Sequence, residues 1–185
     1  MTTAFDFKAG ILTSQVKTFL TKRRHKASTL VMTGVPLHRG IYVWSKGNSE
    51  VFYIGTATGK YGLKGRLGDH LRPTHLEARK SKHQPEDSFQ LKCGIFVTCS
   101  RTGARKPAVD KSVFRRSLGR KLRLAPGVKT VGFIRSKLEV AWFTFPPKST
   151  RKDILKYEAE LIRMLKPKLN RAGNSGALDN KKVKK

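Results

Sequence analysis

The chain is poor in acid. Of its 185 residues only 12 are Asp or Glu, against 40 Lys or Arg, which leaves a formal net charge of +28. An excess of that size repels itself in the compact state and has to meet a polyanion. A small neutral substrate as the sole ligand is thereby nearly excluded. Cysteine is scarce as well: Cys93 and Cys99 are the only two, too few for a disulfide framework. His70, His75 and His83 do not complete the four-ligand set, at short pair spacings, that a structural zinc site requires. Long apolar runs are missing too, and nothing approaches the roughly 20 residues of a bilayer span. The N-terminus lacks the basic-then-apolar order of a signal peptide, although its Ser/Thr-rich, acid-poor composition leaves an organelle transit peptide open. These absences point to a soluble protein in a reducing, intracellular setting. Nucleic acid is the first candidate partner and an anionic membrane surface the second.

What is present is enough for a core. Hydrophobic residues make up 38% of the chain, which suits one domain with a small appendage. The charge is unevenly placed. Residues 101–140 carry twelve basic side chains opposed only by Asp110 and Glu139, whereas 41–71 carry four basic and two acidic residues. The segment 171–185, Gly/Asn-rich and ending Lys-Lys-Val-Lys-Lys, reads as a disordered basic arm.

Periodicity predicts a short amphipathic helix over 14–24, within an N-terminal helical extension of 1–36. Strands follow at 40–45 and 50–55, joined by a two-residue Gly47-Asn48 turn. That turn pairs residues whose numbers sum to 95 and sets Tyr42 opposite Tyr53. Leu63, Leu67 and Leu71 mark a helix ended by Pro73. Residues 74–88 read as loop and 91–99 as a strand with Cys93 and Cys99 packed inward. Asp110 is expected to cap a helix running to about Leu124, with Phe114, Leu118 and Leu122 as its apolar stripe. Glu139 to Phe145 is a strand, and Thr150-x-x-Asp153 starts a last helix that stops at Pro167. The sum is an α/β (α+β) fold: a small, mostly antiparallel central sheet flanked by helices.

One residue departs from the pattern of that last helix. Ile154, Tyr157, Leu161 and Leu165 share one face, extended by Leu155 and Ile162, and Glu158 lies in the middle of the arc. A carboxylate aimed at a core is costly unless it is paired, protonated or bound to metal. The plain reading is a core Glu satisfied by Tyr or Arg. Arg66 and His70, one helical turn apart, have their own plain reading as an exposed basic face. Together with two tyrosines, however, these groups are the parts needed for metal-assisted phosphodiester cleavage.

Here the sequence resembles a family. Gly40-Ile41-Tyr42 and Tyr53-Ile54-Gly55 resemble the two signatures of the GIY-YIG nuclease superfamily. The resemblance continues through Arg66-x-x-x-His70, then Glu158-Ala-Glu-Leu-Ile, and closes at Lys166-Pro-Lys-Leu-Asn170. It spans 37–170, with 72–140 as a basic insertion. By resemblance, Tyr42 is the general base or the phenol that orients the water, and Tyr53 positions the scissile phosphate or shares the proton work. Arg66 binds phosphate and stabilises the transition state, while His70 belongs to the hydrogen-bonding shell of the first tyrosine. Glu158 ligates Mg²⁺ or Mn²⁺, one ion per active site. Gly55 allows close backbone approach, and Gly40 and Asn170 brace the site. Thr56 stands where relatives often carry Lys or Ser.

DNA is the implied partner. Lys64, Arg72, Arg115, Arg116, Arg120, Lys121 and Arg123 are the candidate DNA contacts, with Arg116, Arg120 and Arg123 together on the far side of the helix that follows Asp110. The resemblance implies a stand-alone endonuclease of restriction-like or phage/mobile-element type, monomer or homodimer. Its expected setting is prokaryotic or phage-encoded, cytoplasmic and nucleoid-associated, with no membrane. A structure-specific repair or recombination nuclease and a non-catalytic basic binding protein are the alternatives.

Overall fold

The computed structural model describes residues 24–47, 50–78 and 88–170. Of the helix expected over 14–24 only Arg24 is described, and it is not helical; the rest of that segment, the loop tip at 48–49 and the basic arm at 171–185 lie outside the described residues. Two small antiparallel sheets and five helices are present among those described, in agreement with the α+β expectation. The first sheet holds β1 (His25–Lys26), β2 (Gly40–Lys46), β3 (Glu50–Ala57) and β7 (Glu139–Thr144), in the order β1-β7-β2-β3. The second holds β4 (Leu76–Ala78), β5 (Phe96–Thr98) and β6 (Arg105–Asp110), in the order β4-β6-β5. The helices are α1 (Gly62–Leu71), α2 (Ser88–Leu91), α3 (Val113–Leu122), α4 (Val128–Lys137) and α5 (Arg151–Leu165).

Both faces of the first sheet are buried. Tyr42, Trp44 and Tyr53 pack with Leu63, Leu67 and Leu71 of α1, Phe114 and Leu118 of α3 and Ile134 of α4. On the other side Ile41, Val43, Ile54, Ala141 and Phe143 pack with Ile154 and Leu161 of α5. Burial on two sides explains why β2 reads as a nearly unbroken apolar run rather than a strict alternation. Helix α5 begins as expected. The Thr150 side chain accepts from the Asp153 amide at 3.2 Å, and the Asp153 carboxylate accepts from the Thr150 amide at 2.9 Å, a closed capping box. Leu155, expected to extend the apolar stripe, is instead exposed.

The hairpin register differs from the expectation. Lys46 pairs with Glu50, so three residues separate the strands, and an irregularity between Trp44 and Ser45 adds one more on the β3 side. Tyr42 therefore pairs with Gly55, and Trp44 pairs with Tyr53. The total slip is two residues. Because side chains alternate with a period of two, Tyr42 and Tyr53 still share a face, their rings 6.3 Å apart.

The segment 72–140 departs furthest from its expected form. Residues 76–78, read as loop, form β4 against β6. The strand expected over 91–99 shrinks to β5, preceded by the single turn of α2, and both cysteines are only partly buried. Helix α4, not anticipated from the sequence, packs against α1 and α3 and adds Ile134 to the core. Asp110 is no helix cap: it ends β6, and Ser112 precedes the first turn of α3 without a side-chain cap bond. The Asp110 carboxylate is buried and accepts from the Arg115 guanidinium, from Gln90 Nε2 at 2.8 Å and from the Gly127 amide at 3.0 Å. Arg115 Nη1 in turn donates to the carbonyls of Asp69 at 3.1 Å and Arg72 at 2.6 Å, at the end of α1. The basic segment is thus bolted to the sheet domain through a buried polar hub.

A candidate nuclease site at the outer edge of β3

The site forms where α1 and α5 meet β2 and β3 from opposite sides of the sheet. Gly55 fixes its geometry. A Cβ on Gly55 would fall on the Tyr42 hydroxyl, 2.6 Å from its Cζ and 2.8 Å from the Tyr53 ring. Only a glycine lets the Tyr42 phenol lie across the neighbouring strand. Gly40 serves the sheet rather than the chemistry, since a Cβ there would strike the Phe143 carbonyl of β7 and the Leu63 side chain.

Helix α1 places Arg66 and His70 one turn apart, both on Tyr42. Arg66 Nε donates to the Tyr42 hydroxyl at 3.4 Å, and His70 Nε2 lies 3.5 Å from the same oxygen. A side chain that the motif reading missed decides the role of His70. Trp44 Nε1 donates to His70 Nδ1 at 3.0 Å. An indole N–H can only donate, so Nδ1 is the lone-pair nitrogen and the proton of the neutral ring sits on Nε2, facing Tyr42. His70 is fully buried. Burial first, then the cations Arg66 and Arg115 and the ring of His75, hold its pKa well below the usual histidine value. It is therefore a fixed neutral donor to the phenol, not a base. Phe114 of α3 closes this cluster, its ring centroid 5.1 Å from His70 and 4.9 Å from Tyr53. Trp44 was legible in one respect: it stands two residues after Tyr42 in a strand, hence on the same face.

Replacing Trp44 by Phe removes the indole N–H while keeping an aromatic ring. We expect His70 then to show a mixture of Nε2–H and Nδ1–H tautomers in long-range ¹H–¹⁵N correlation spectra, where the parent shows Nε2–H alone. An unchanged pattern would contradict the tautomer assignment.

The electrostatics follow from burial. Tyr42 has no exposed surface. Its pKa is driven upward, by desolvation first and by Tyr53 next, with Arg66 opposing. Tyr53 is pushed up to about 12 by burial, against the pull of Arg66. Both phenols are neutral at physiological pH. Burial works against the charge of Arg66, but Tyr42, Tyr53 and Asp69 outweigh it, and its pKa rises. Its Nη groups make no hydrogen bond among the described residues and are free to take an anion.

Glu158 reaches this cluster from α5, on the far side of the sheet. Its carboxylate is half-buried and accepts a hydrogen bond from the Thr56 amide. Burial pushes its pKa up to about 7, with Arg66 and the Thr56 amide opposing. Next along the same strand, Asn170 Oδ1 accepts from the Ile54 amide at 2.9 Å and its Nδ2 donates to the Ile54 carbonyl at 2.8 Å. The Leu169 amide donates to the Phe52 carbonyl at 2.8 Å. Asn170 thus acts as a surrogate strand residue, and Glu158 and Asn170 together occupy an edge that would otherwise be open to pairing.

The raised Glu158 pKa has a measurable sign. The unfolded carboxyl releases its proton near 4.5 and the folded one near 7. Between those values the folded state holds more protons, so its stability falls as pH rises through the window. Buried, neutral His70 contributes an opposite slope below pH 6.5, shared by parent and variant, so the Glu158 contribution is read as a difference. From pH 4.5 to 7 the metal-free parent should lose stability relative to Glu158→Gln in thermal melts, and parallel curves for the two proteins would refute the shift.

Not all expected DNA contacts lie on the surface. Arg115 is fully buried against Asp110 and is unavailable to DNA. Arg116 is held by the Glu77 carboxylate and the carbonyls of Asp110 and Lys111, all at 3.0 Å. Arg120 donates to Ser117 Oγ at 3.3 Å. Arg72, Lys121 and Arg123 are exposed and Lys64 is partly so. No helix among the described residues is long and apolar enough to cross a membrane, and none of them form a cluster of three or more His, Cys, Asp or Glu able to hold a metal. No family model matches the chain, and no curated protein or solved structure shows a significant match to it.

Proposed function

We propose that this chain is a divalent-metal-dependent DNA endonuclease with a GIY-YIG-type active site, of restriction-like or phage/mobile-element kind. The observation that carries the reading is Glu158, a half-buried carboxylate set beside Arg66 and two phenols in a chain of net charge +28. Binding a polyanion calls for no acid among the bases, whereas metal-assisted hydrolysis uses one to hold the ion.

A lone carboxylate suits Mg²⁺ or Mn²⁺. Such ions keep several waters and are held by one or two carboxylates plus substrate phosphates, so Glu158 would be the protein's ligand and the phosphate would supply further oxygens. When bound, the ion would stabilise negative charge developing on the phosphate. The remaining roles belong to the chain. Arg66 presents its Nη groups to a phosphate oxygen, a charge-assisted contact that strengthens as charge builds. Tyr42 takes the His70 and Arg66 N–H groups on its oxygen lone pairs. With no exposed surface, this buried and neutral phenol fits a role in positioning Arg66 better than that of a resting-state base. Tyr53 holds the second phenol alongside. Asn170 keeps β3, and with it Thr56 and Glu158, in place.

Supercoiled plasmid incubated with Mg²⁺ is the direct test. The parent protein should nick or linearise it, chelation should abolish this, and Glu158→Ala should be inert. No metal-dependent cutting of duplex, branched or single-stranded DNA would sink the enzyme reading, and full activity in Glu158→Ala would sink the site.

A further inference from the structure

The second sheet carries a feature with no part in the site. Strands β5 and β6 form a two-stranded ribbon, pairing Phe96 with Pro107, Val97 with Lys106 and Thr98 with Arg105. The turn between them is closed by the Cys99 amide on the Ala104 carbonyl at 2.9 Å and the Gly103 amide on the Cys99 carbonyl at 2.8 Å. Gly103 adopts a φ of +65° there, a conformation glycine takes without cost.

The ribbon has one open face. Phe96, Thr98 and Arg105 are exposed, Phe96 at 47%, and the Arg105 guanidinium sits 5.7 Å from the Phe96 ring centroid. At the tip, Ser100, Arg101 and Thr102 are exposed as well. From residue 88 to 109 the chain has four basic residues, Lys92, Arg101, Arg105 and Lys106, and no acid. A single exposed Phe is unremarkable by itself. A Phe stacked under an Arg on an acid-free, hydrogen-bonding ribbon is a surface for a polyanion with flat, partly apolar groups.

We propose that the β5–β6 ribbon is the element that enters the major groove of duplex DNA, with Arg101 and Arg105 reaching base edges and Phe96 making apolar contact. This rests on the reading of DNA as the substrate. Groove width selects the partner. Two strands lie about 4.8 Å apart before their side chains are added, which suits the roughly 12 Å major groove of B-form DNA and not the roughly 6 Å minor groove. The deep, narrow major groove of A-form RNA would not admit it. Arginine is also the side chain that most often contacts guanine there.

The test is fluorescence-anisotropy binding of the full chain to a mixed-sequence DNA duplex, in EDTA so that cleavage plays no part. Binding to the corresponding RNA duplex and to equimolar phosphatidylcholine/phosphatidylserine vesicles is measured alongside. Arg101→Ala and Arg105→Ala should each weaken DNA binding about tenfold, and Phe96→Ser should weaken it severalfold without changing the salt slope. Losses on duplex RNA should be much smaller. Unchanged DNA affinity in all three variants overturns the proposal. So does an equal loss on DNA and RNA, which would mark a plain electrostatic patch, and so does a loss confined to vesicles. Since these side chains are exposed, folding is checked by an unchanged melting temperature. Because no cutting is measured, a ribbon that binds DNA in a protein that never cleaves it would refute the proposed activity alone.

Discussion

Arg66→Ala should reduce DNA cleavage about a thousandfold, the loss falling on kcat more than on KM. An arginine aimed at developing phosphoryl charge is worth roughly 10³–10⁵ in rate, and a single lost donor in such a site costs about 10²–10³. Arg66 also stands on the Tyr42 oxygen, so the variant loses a contact on the phenol together with the proposed phosphate contact. Arg66→Lys keeps the charge but not the planar fork, and should recover only part of the rate. Single-turnover cleavage with excess enzyme separates chemistry from binding. Affinity for uncut DNA in EDTA should hardly move, since one charge among an excess of 28 contributes little to non-specific binding. A loss below tenfold would remove Arg66 from the chemistry.

Arg115→Ala should be the most damaging change to the fold. The side chain is fully buried, paired with Asp110 and bonded to two carbonyls at the end of α1. Removing one partner of a buried pair leaves the other charge unpaired and costs about 3–5 kcal/mol. In a domain of this size each kcal/mol shifts the melting temperature by about 2–4 °C, so a fall of about 6–20 °C is expected. Replacing the pair together, Asp110→Leu with Arg115→Met, should cost less than either single change if the unpaired charge is the source of the damage. A double variant worse than both singles would show instead that the hydrogen bonds to Gln90, Gly127, Asp69 and Arg72 carry the stability.

Arg115 also marks where sequence reasoning stops. On a helical wheel it belongs to a basic helix after an acidic cap, and both halves of that picture give way together: the acid is the end of a strand and the base is its buried partner. The pair itself is only five residues apart, but what buries it comes from Gln90, Gly127 and the end of α1, far along the chain, and no local pattern reports that. Strand β4 is similarly silent, since a three-residue strand is set by the neighbour it meets rather than by its own composition. Helix α4 escapes because Gly127 and Gly132 flank and interrupt a run that would otherwise read as amphipathic. The site was far more legible. Glu158 stood out as an acid in an apolar arc, and Gly55 and Asn170 were placed by motif. Tyr42 and Tyr53 kept a common face although the register was off by two, because an even slip preserves alternation. Trp44 was overlooked because its function lies in fixing a proton on a neighbouring ring, which only the hydrogen-bond geometry reveals.

The edge of β3 has a bearing on how the protein is made. Ile54 finds its hydrogen-bonding partner 116 positions later, at Asn170, and Glu158 comes little sooner. A growing chain that has emerged only as far as α4 has both signature strands but neither the carboxylate nor the amide that seals their outer margin. Synthesis therefore passes through a stage in which β3 is an open template for pairing with another chain and Glu158 has yet to be added. Production of the protein should be sensitive to conditions that lengthen that stage. Slowed elongation past α4 should raise aggregation of the nascent protein.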